Sequence, residues 1–205
     1  MRSILLNTFL SSLHFIVGNG LKSFPTSIKL VIIMLKTERL ILRPINKSDG
    51  PDIVRWRNQK EITDTLFSNP GLTLHQHNAW FKKYLKEKIR IEFIIIKKQD
   101  NKKIGTIGLN KIDRKNQKAE YGILIGEKEE QGKGYAKEAT FAILNYGFKK
   151  LNLHKIYLEV FCDNTNAIRL YKKIGFIEEG LFRKDIVKNG EFKDVMRMAM
   201  IKEES

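Results

Sequence analysis

From residue 34 onward the chain switches repeatedly between two hydrophobic periods. Leu40 and Leu42 alternate with Arg39 and Arg43 and predict a first strand that stops at Pro44. Ser48, followed by Asp49 and Pro51, is a helix N-cap, and the helix carries Ile53, Val54 and Trp56. After a turn at Pro70-Gly71, Thr73-x-x-Gln76 forms a capping box that opens a second helix with His77, Phe81, Tyr84 and Leu85 on one face. Strands at 93–96 and 104–109 flank a hairpin turn at 99–102, and 119–126 reads as a buried strand. A long helix follows with Ala136, Ala139, Ile143 and Tyr146 on one face. A strand at 155–160 then leads to a short helix capped by Asn164 or Asn166 and ending near Gly175. Strands at 182–187 and 192–201 flank Asn189-Gly190, the dipeptide suited to a type I′ turn. The order predicts an α+β domain, an α/β/α sandwich with helices on both faces of one sheet.

The 205 residues suffice for one domain, expected over 34–205. Residues 1–33 carry apolar runs broken by Asn7, Ser11, Ser12 and His14, too short for a spanning helix and without a convincing cleavage site. They are expected to form an extension outside the fold; an N-terminal membrane anchor is the alternative. A net charge of +15 favours anionic partners, but the lysines are spread along the chain as on a solvated surface. The single cysteine, Cys162, excludes an internal disulfide and fits a cytoplasmic protein. His75 and His77, two apart on a helix, face different ways and form no metal pair.

Candidate chemistry centres on residues 130–136, Glu-Gln-Gly-Lys-Gly-Tyr-Ala, a glycine-rich turn between a strand and a long helix. Free N–H groups and the positive end of the helix dipole attract anions there, and glycine lets a phosphate approach the backbone. The spacing from Gly126 to Gly132-Lys133 is one residue too long for a Walker A loop, and Lys137 stands where a dinucleotide loop needs its third glycine. What remains, Gln131-x-x-Gly134-x-Ala136, resembles the acetyl-CoA pyrophosphate loop of the GCN5-related N-acetyltransferase (GNAT) superfamily. A second block, Asn164-x-x-Ala167-x-x-Leu170-Tyr171-x-x-x-Gly175-Phe176, is similar to that family's next motif and lies one helix and one strand further on. The resemblance spans about residues 34–202.

That resemblance implies a mixed sheet with a splay between its fourth and fifth strands, entered by the pantetheine arm of acetyl-CoA. It makes Gln131, Gly132, Lys133, Gly134, Tyr135 and Ala136 the pyrophosphate cradle, with Asn164 at the pantetheine. It makes Tyr171 the general acid for the departing thiolate, with Glu159 or Glu120 as candidate base and ordered water as the alternative. No metal is implied. Trp56, Arg57, Asn58, His77 and Trp80 on the first two helices resemble acceptor-binding residues of acetyltransferases acting on UDP-linked 4-amino sugars. An Arg would pair with a diphosphate and the aromatics would stack. The segment 179–195 instead resembles acetyltransferases of ribosomal-protein N-termini, and a polyamine or other small amine is a further acceptor class. A basic, non-catalytic RNA-binding module is the reading from another class. The expected partners are a small-molecule amine, with neither DNA nor membrane, and the expected state is a monomer or homodimer.

Overall fold

The computed structural model describes residues 33–68 and 70–202. The predicted extension over residues 1–33, apart from its last residue, lies outside them. A two-residue strand β1 (Leu35–Lys36) precedes β2 (Leu40–Pro44), then come helices α1 (Gly50–Arg57), α2 (Lys60–Thr63) and α3 (Leu74–Tyr84). Strands β3 (Ile91–Lys97), β4 (Lys103–Asp113) and β5 (Lys118–Ile125) follow, then α4 (Tyr135–Lys149), β6 (Lys155–Phe161), α5 (Thr165–Ile174), β7 (Ile177–Lys188) and β8 (Glu191–Ile201). One eight-stranded sheet runs in the order β1-β2-β3-β4-β5-β6-β8-β7.

Only β5 and β6 pair in parallel, and they do so at just three positions: Lys118 with Lys155, Ala119 with Ile156 and Glu120 with Tyr157. Beyond Glu120 the two strands separate, so the expected splay between the fourth and fifth predicted strands is present. Each side chain on one strand face alternates with one on the other. Ala119 and Tyr121 join Leu158, Val160, Ala139, Ile143 and Ile174 in a core under α4 and α5. Ile94, Ile96, Trp56, Ile62 and Phe81 form a second core under α1–α3 on the opposite face. Helices therefore cover both faces.

The Thr73–Gln76 capping box and the Asn164 cap are present as predicted, and Asn189 and Gly190 adopt the positive φ of a type I′ turn. The first cap differs. Asn46, not Ser48, caps a 3-10 turn over Lys47–Asp49, because Asn46 accepts from the Ser48 N–H while Asp49 accepts from the Asn46 N–H. Asp49 is fully buried and holds Arg43 and Lys103, each at 2.8 Å, which ties this turn to the sheet. Among the described residues no helix is long and apolar enough to cross a membrane.

Candidate active site

The loop after β5 is organised from beneath. The Glu130 side chain is buried and accepts from Lys97 at 2.8 Å and Lys133 at 3.1 Å, and these ammonium groups, Lys97 first, hold its carboxyl below the usual range. Lys133 thus anchors the loop through its side chain, a role the motif did not suggest. Gln131 turns back to donate to the Ile125 carbonyl at 2.9 Å, closing the turn. Gly132 and Gly134 have φ of 76° and 84°, where an L side chain is strained, and Gly134 is the α4 N-cap with no side-chain cap. The first-turn N–H groups of Tyr135 and Ala136 are therefore left to an outside acceptor. Arg39 reaches across from β2, donating to the Lys133 carbonyl at 3.1 Å and lying 4.6 Å from the Tyr135 ring centroid.

At the apex of the splay stand Tyr121 and Tyr171, edge to face at 6.0 Å. Thr140 donates to the Ala136 carbonyl at 2.6 Å, so the Tyr121 hydroxyl donates to Thr140 at 2.7 Å. Tyr171 packs on Tyr121 and Phe176, and burial pushes its hydroxyl up to about 12. Asn164 spends its side-chain oxygen on the Ala167 N–H at 3.2 Å, leaving its amide N–H groups over. Glu120 and Glu159, by strand alternation, sit on the other face of the sheet. Glu120 is 2.6 Å from the Lys111 ammonium, and Glu159 pairs with Arg197, whose guanidinium lies between the Tyr157 and Phe182 rings.

On that same face α1 and α3 roof a cavity of about 250 Å³ whose lining includes Arg57, His77, Trp80, Glu92 and Thr106. Three of the five acceptor candidates meet there. Trp56 does not: it is fully buried, its ring lies under Gly126, and its indole N–H donates to Glu127 at 2.7 Å. It offers no face for stacking and instead locks the end of β5 to α1. Asn58 is also occupied, accepting from the Gly71 and Leu72 N–H groups and donating to the Leu72 carbonyl, so it pins the loop before α3. Burial lowers both the Arg57 guanidinium and the His77 imidazole from their ordinary values.

The family profile described as acetyltransferase (GNAT) domain matches residues 39–177, more than half of the chain and both motif blocks. The chain belongs to the GNAT acetyltransferases. It is an acyltransferase with acetyl-CoA as its co-substrate. The spermidine N(1)-acetyltransferase of Vibrio cholerae serotype O1 is 33% identical over 163 residues, 80% of this chain and 93% of that one. A crystal structure of the Vibrio cholerae spermidine N-acetyltransferase with CoA and spermine superposes with a TM-score of 0.76 at 32% identity, covering 80% and 96% of the two chains. A dodecameric structure of the Vibrio cholerae enzyme in an intermediate state matches with a TM-score of 0.71 at 31% identity, covering 80% and 95%.

These relatives are named for a polyamine, so the UDP-amino-sugar expectation draws no support from them, and the dodecamer departs from the monomer or homodimer expected for this acetyltransferase. Two residues of its site carried no signal in the sequence. Arg39 sits in an alternating strand where an outward arginine is ordinary, and its partners, Lys133 and Glu138, are more than 90 residues away. Glu92 precedes an apolar run and enters the cavity only because β3 pairs with β4 in the observed register.

Proposed function

We propose that the protein transfers the acetyl group of acetyl-CoA to a primary amine of a polyamine such as spermidine. The observation that carries the transfer chemistry is the splay between β5 and β6, with free helix N–H groups at its mouth and the buried Tyr171 at its apex. The N–H groups of residues 132–136 hold the pyrophosphate, with Gln131 shaping the turn and the Asn164 amide directed to the pantetheine. Acetyl-CoA supplies the activated thioester. The amine nitrogen bonds to the acetyl carbonyl carbon, the C–S bond breaks, and the Tyr171 hydroxyl gives its proton to the leaving thiolate. The proton lost by the amine passes to Glu120 or Glu159, the two carboxylates on the acceptor side of the splay. The donor and acceptor thus approach from opposite faces of the sheet.

The polyamine acceptor is supported by the named relatives and by carboxylates on the acceptor face. A second reading, a nucleotide-linked amino sugar, keeps one observation in its favour: Arg57 and Trp80 share the cavity and suit a diphosphate and a ring. The oligomeric relative and the exposed apolar residues Ile177, Leu181, Val187 and Phe192 on β7 and β8 support an assembly larger than a dimer. The acceptor is tested by incubating the purified full chain with acetyl-CoA and spermidine, a UDP-4-amino sugar or an N-terminal ribosomal peptide, and following free thiol. Turnover with spermidine is expected; turnover with the sugar nucleotide or the peptide alone would reject the polyamine.

A further inference from the structure

On the face of the sheet under α1 and α3, one row of residues runs straight across three strands. Glu92 of β3 lies opposite Gly108 of β4, and Gly108 lies opposite Gly122 of β5. Continuing the β5–β6 register by two residues brings this row to Glu159, across the splay. The row therefore has a carboxylate at each end and no side chain between them. The two glycines are bare for different reasons. A Cβ on Gly108 would stand 2.4 Å from Glu92 Oε2, so the Glu92 carboxylate is folded over Gly108 toward β5. A Cβ on Gly122 would meet nothing within 4 Å, so the space above it is open.

We propose that Glu92 is a specificity-determining residue that binds a second, non-reacting ammonium of the acceptor, whose aliphatic chain lies over Gly122 with its reacting amine at the splay. This rests on the polyamine reading and adds the residue and the path. Glu92 is available for the task. Arg90 is drawn to Glu87 at 3.3 Å, and Arg57 donates to the Ser68 hydroxyl at 2.8 Å. His77, which lines the same cavity and is 2% exposed, has its Nε2 buried without a hydrogen-bond partner. An ammonium brings three donors, enough for the carboxylate and an imidazole nitrogen together, and the adjacent Trp80 ring adds a cation–π face. Backbone to backbone, Glu92 and Glu159 are about three strand spacings apart, ~15 Å before the splay widens the last one. That gap calls for a slender chain with nitrogen at both ends. Arg57 is the group that opposes a cation here, and its lowered guanidinium basicity reflects the same burial that leaves Glu92 short of a counter-ion.

The test compares spermidine with butylamine, which offers the reacting end but no second ammonium, using the wild-type chain and Glu92→Gln. A charge-assisted contact is worth roughly 1.5–3 kcal/mol, so the preference in kcat/KM for spermidine over butylamine should fall about 10- to 100-fold in Glu92→Gln. The KM for acetyl-CoA should hold, and Glu92→Asp should restore part of the preference. Gly122→Ala, which fits the open space without a clash, should raise the KM for spermidine several-fold and leave butylamine nearly unchanged. Together they decide the matter even where one variant folds poorly. An unchanged preference in Glu92→Gln, with wild-type turnover of spermidine intact, would overturn the role of Glu92 while leaving the acceptor class standing. Absence of wild-type spermidine turnover would overturn both.

Discussion

Glu92 and Tyr171 are buried acids on opposite faces of the sheet, and burial raises both, with different consequences. Desolvation pushes the Glu92 carboxyl from its usual 4.5 to about 7, against the weaker pull of Asn110, Arg90 and Arg57. The folded chain then holds this proton more tightly than the unfolded one, so stability falls as pH rises from about 4.5 through about 7. At one pKa unit per ~1.4 kcal/mol, the cost above pH 7 is at most about 3 kcal/mol. Glu92→Gln is therefore expected to raise the melting temperature at pH 8, with the gain shrinking toward pH 5. Equal melting temperatures at pH 8 would mean that the Glu92 charge is already compensated in the free protein. Tyr171, raised to about 12, stays protonated across the working range, as a donor to a thiolate must. Tyr171→Phe should lower kcat by about 10²- to 10⁴-fold with little change in acetyl-CoA affinity. An unaltered kcat would remove Tyr171 as the acid.

At the scale of elements, the unit that matters is β5, its glycine turn and α4. Gly126 is required by contact, since a Cβ there would fall 2.1 Å from the Trp56 ring, whereas Gly134 is required by its φ of 84°. Gly134→Ala is expected to cost on the order of 1 kcal/mol in stability and to raise the KM for acetyl-CoA more than that for the amine. An equal rise in both would move the donor cradle elsewhere. Most of this unit was legible in the chain because its signals are local: the Asn164 cap, the Thr73–Gln76 box and the glycine spacing each act within a few residues. The misreadings were non-local. Ser48 yielded the cap to Asn46 because Asp49 is held by Arg43 and Lys103 from the sheet. Trp56 looked like a stacking residue until the close approach of Gly126 made it core. Glu92 was silent because its partners, Gly108, Gly122 and His77, come from β4, β5 and α3.

For the whole molecule, the splayed sheet separates two tasks by face and charge. The net charge of +15 draws an anionic acyl-CoA from a distance but repels a polycation. At physiological salt that long-range field fades within about 8 Å, so a cationic acceptor depends on carboxylates met at close range. Glu92, Glu120 and Glu159 all lie on the α1–α3 side, while α5 carries exposed Arg169, Lys172 and Lys173 beside the donor motif. The family relation and the sheet geometry establish the acetyltransferase; the acceptor rests on this division of charge and on the named relatives. The most direct measurement is mass spectrometry of the products after the full chain is incubated with acetyl-CoA and an equimolar mixture of spermidine and a UDP-4-amino sugar. The account predicts N-acetylspermidine with stoichiometric free CoA and an unmodified sugar nucleotide. Acetylated sugar nucleotide with unmodified spermidine would contradict it.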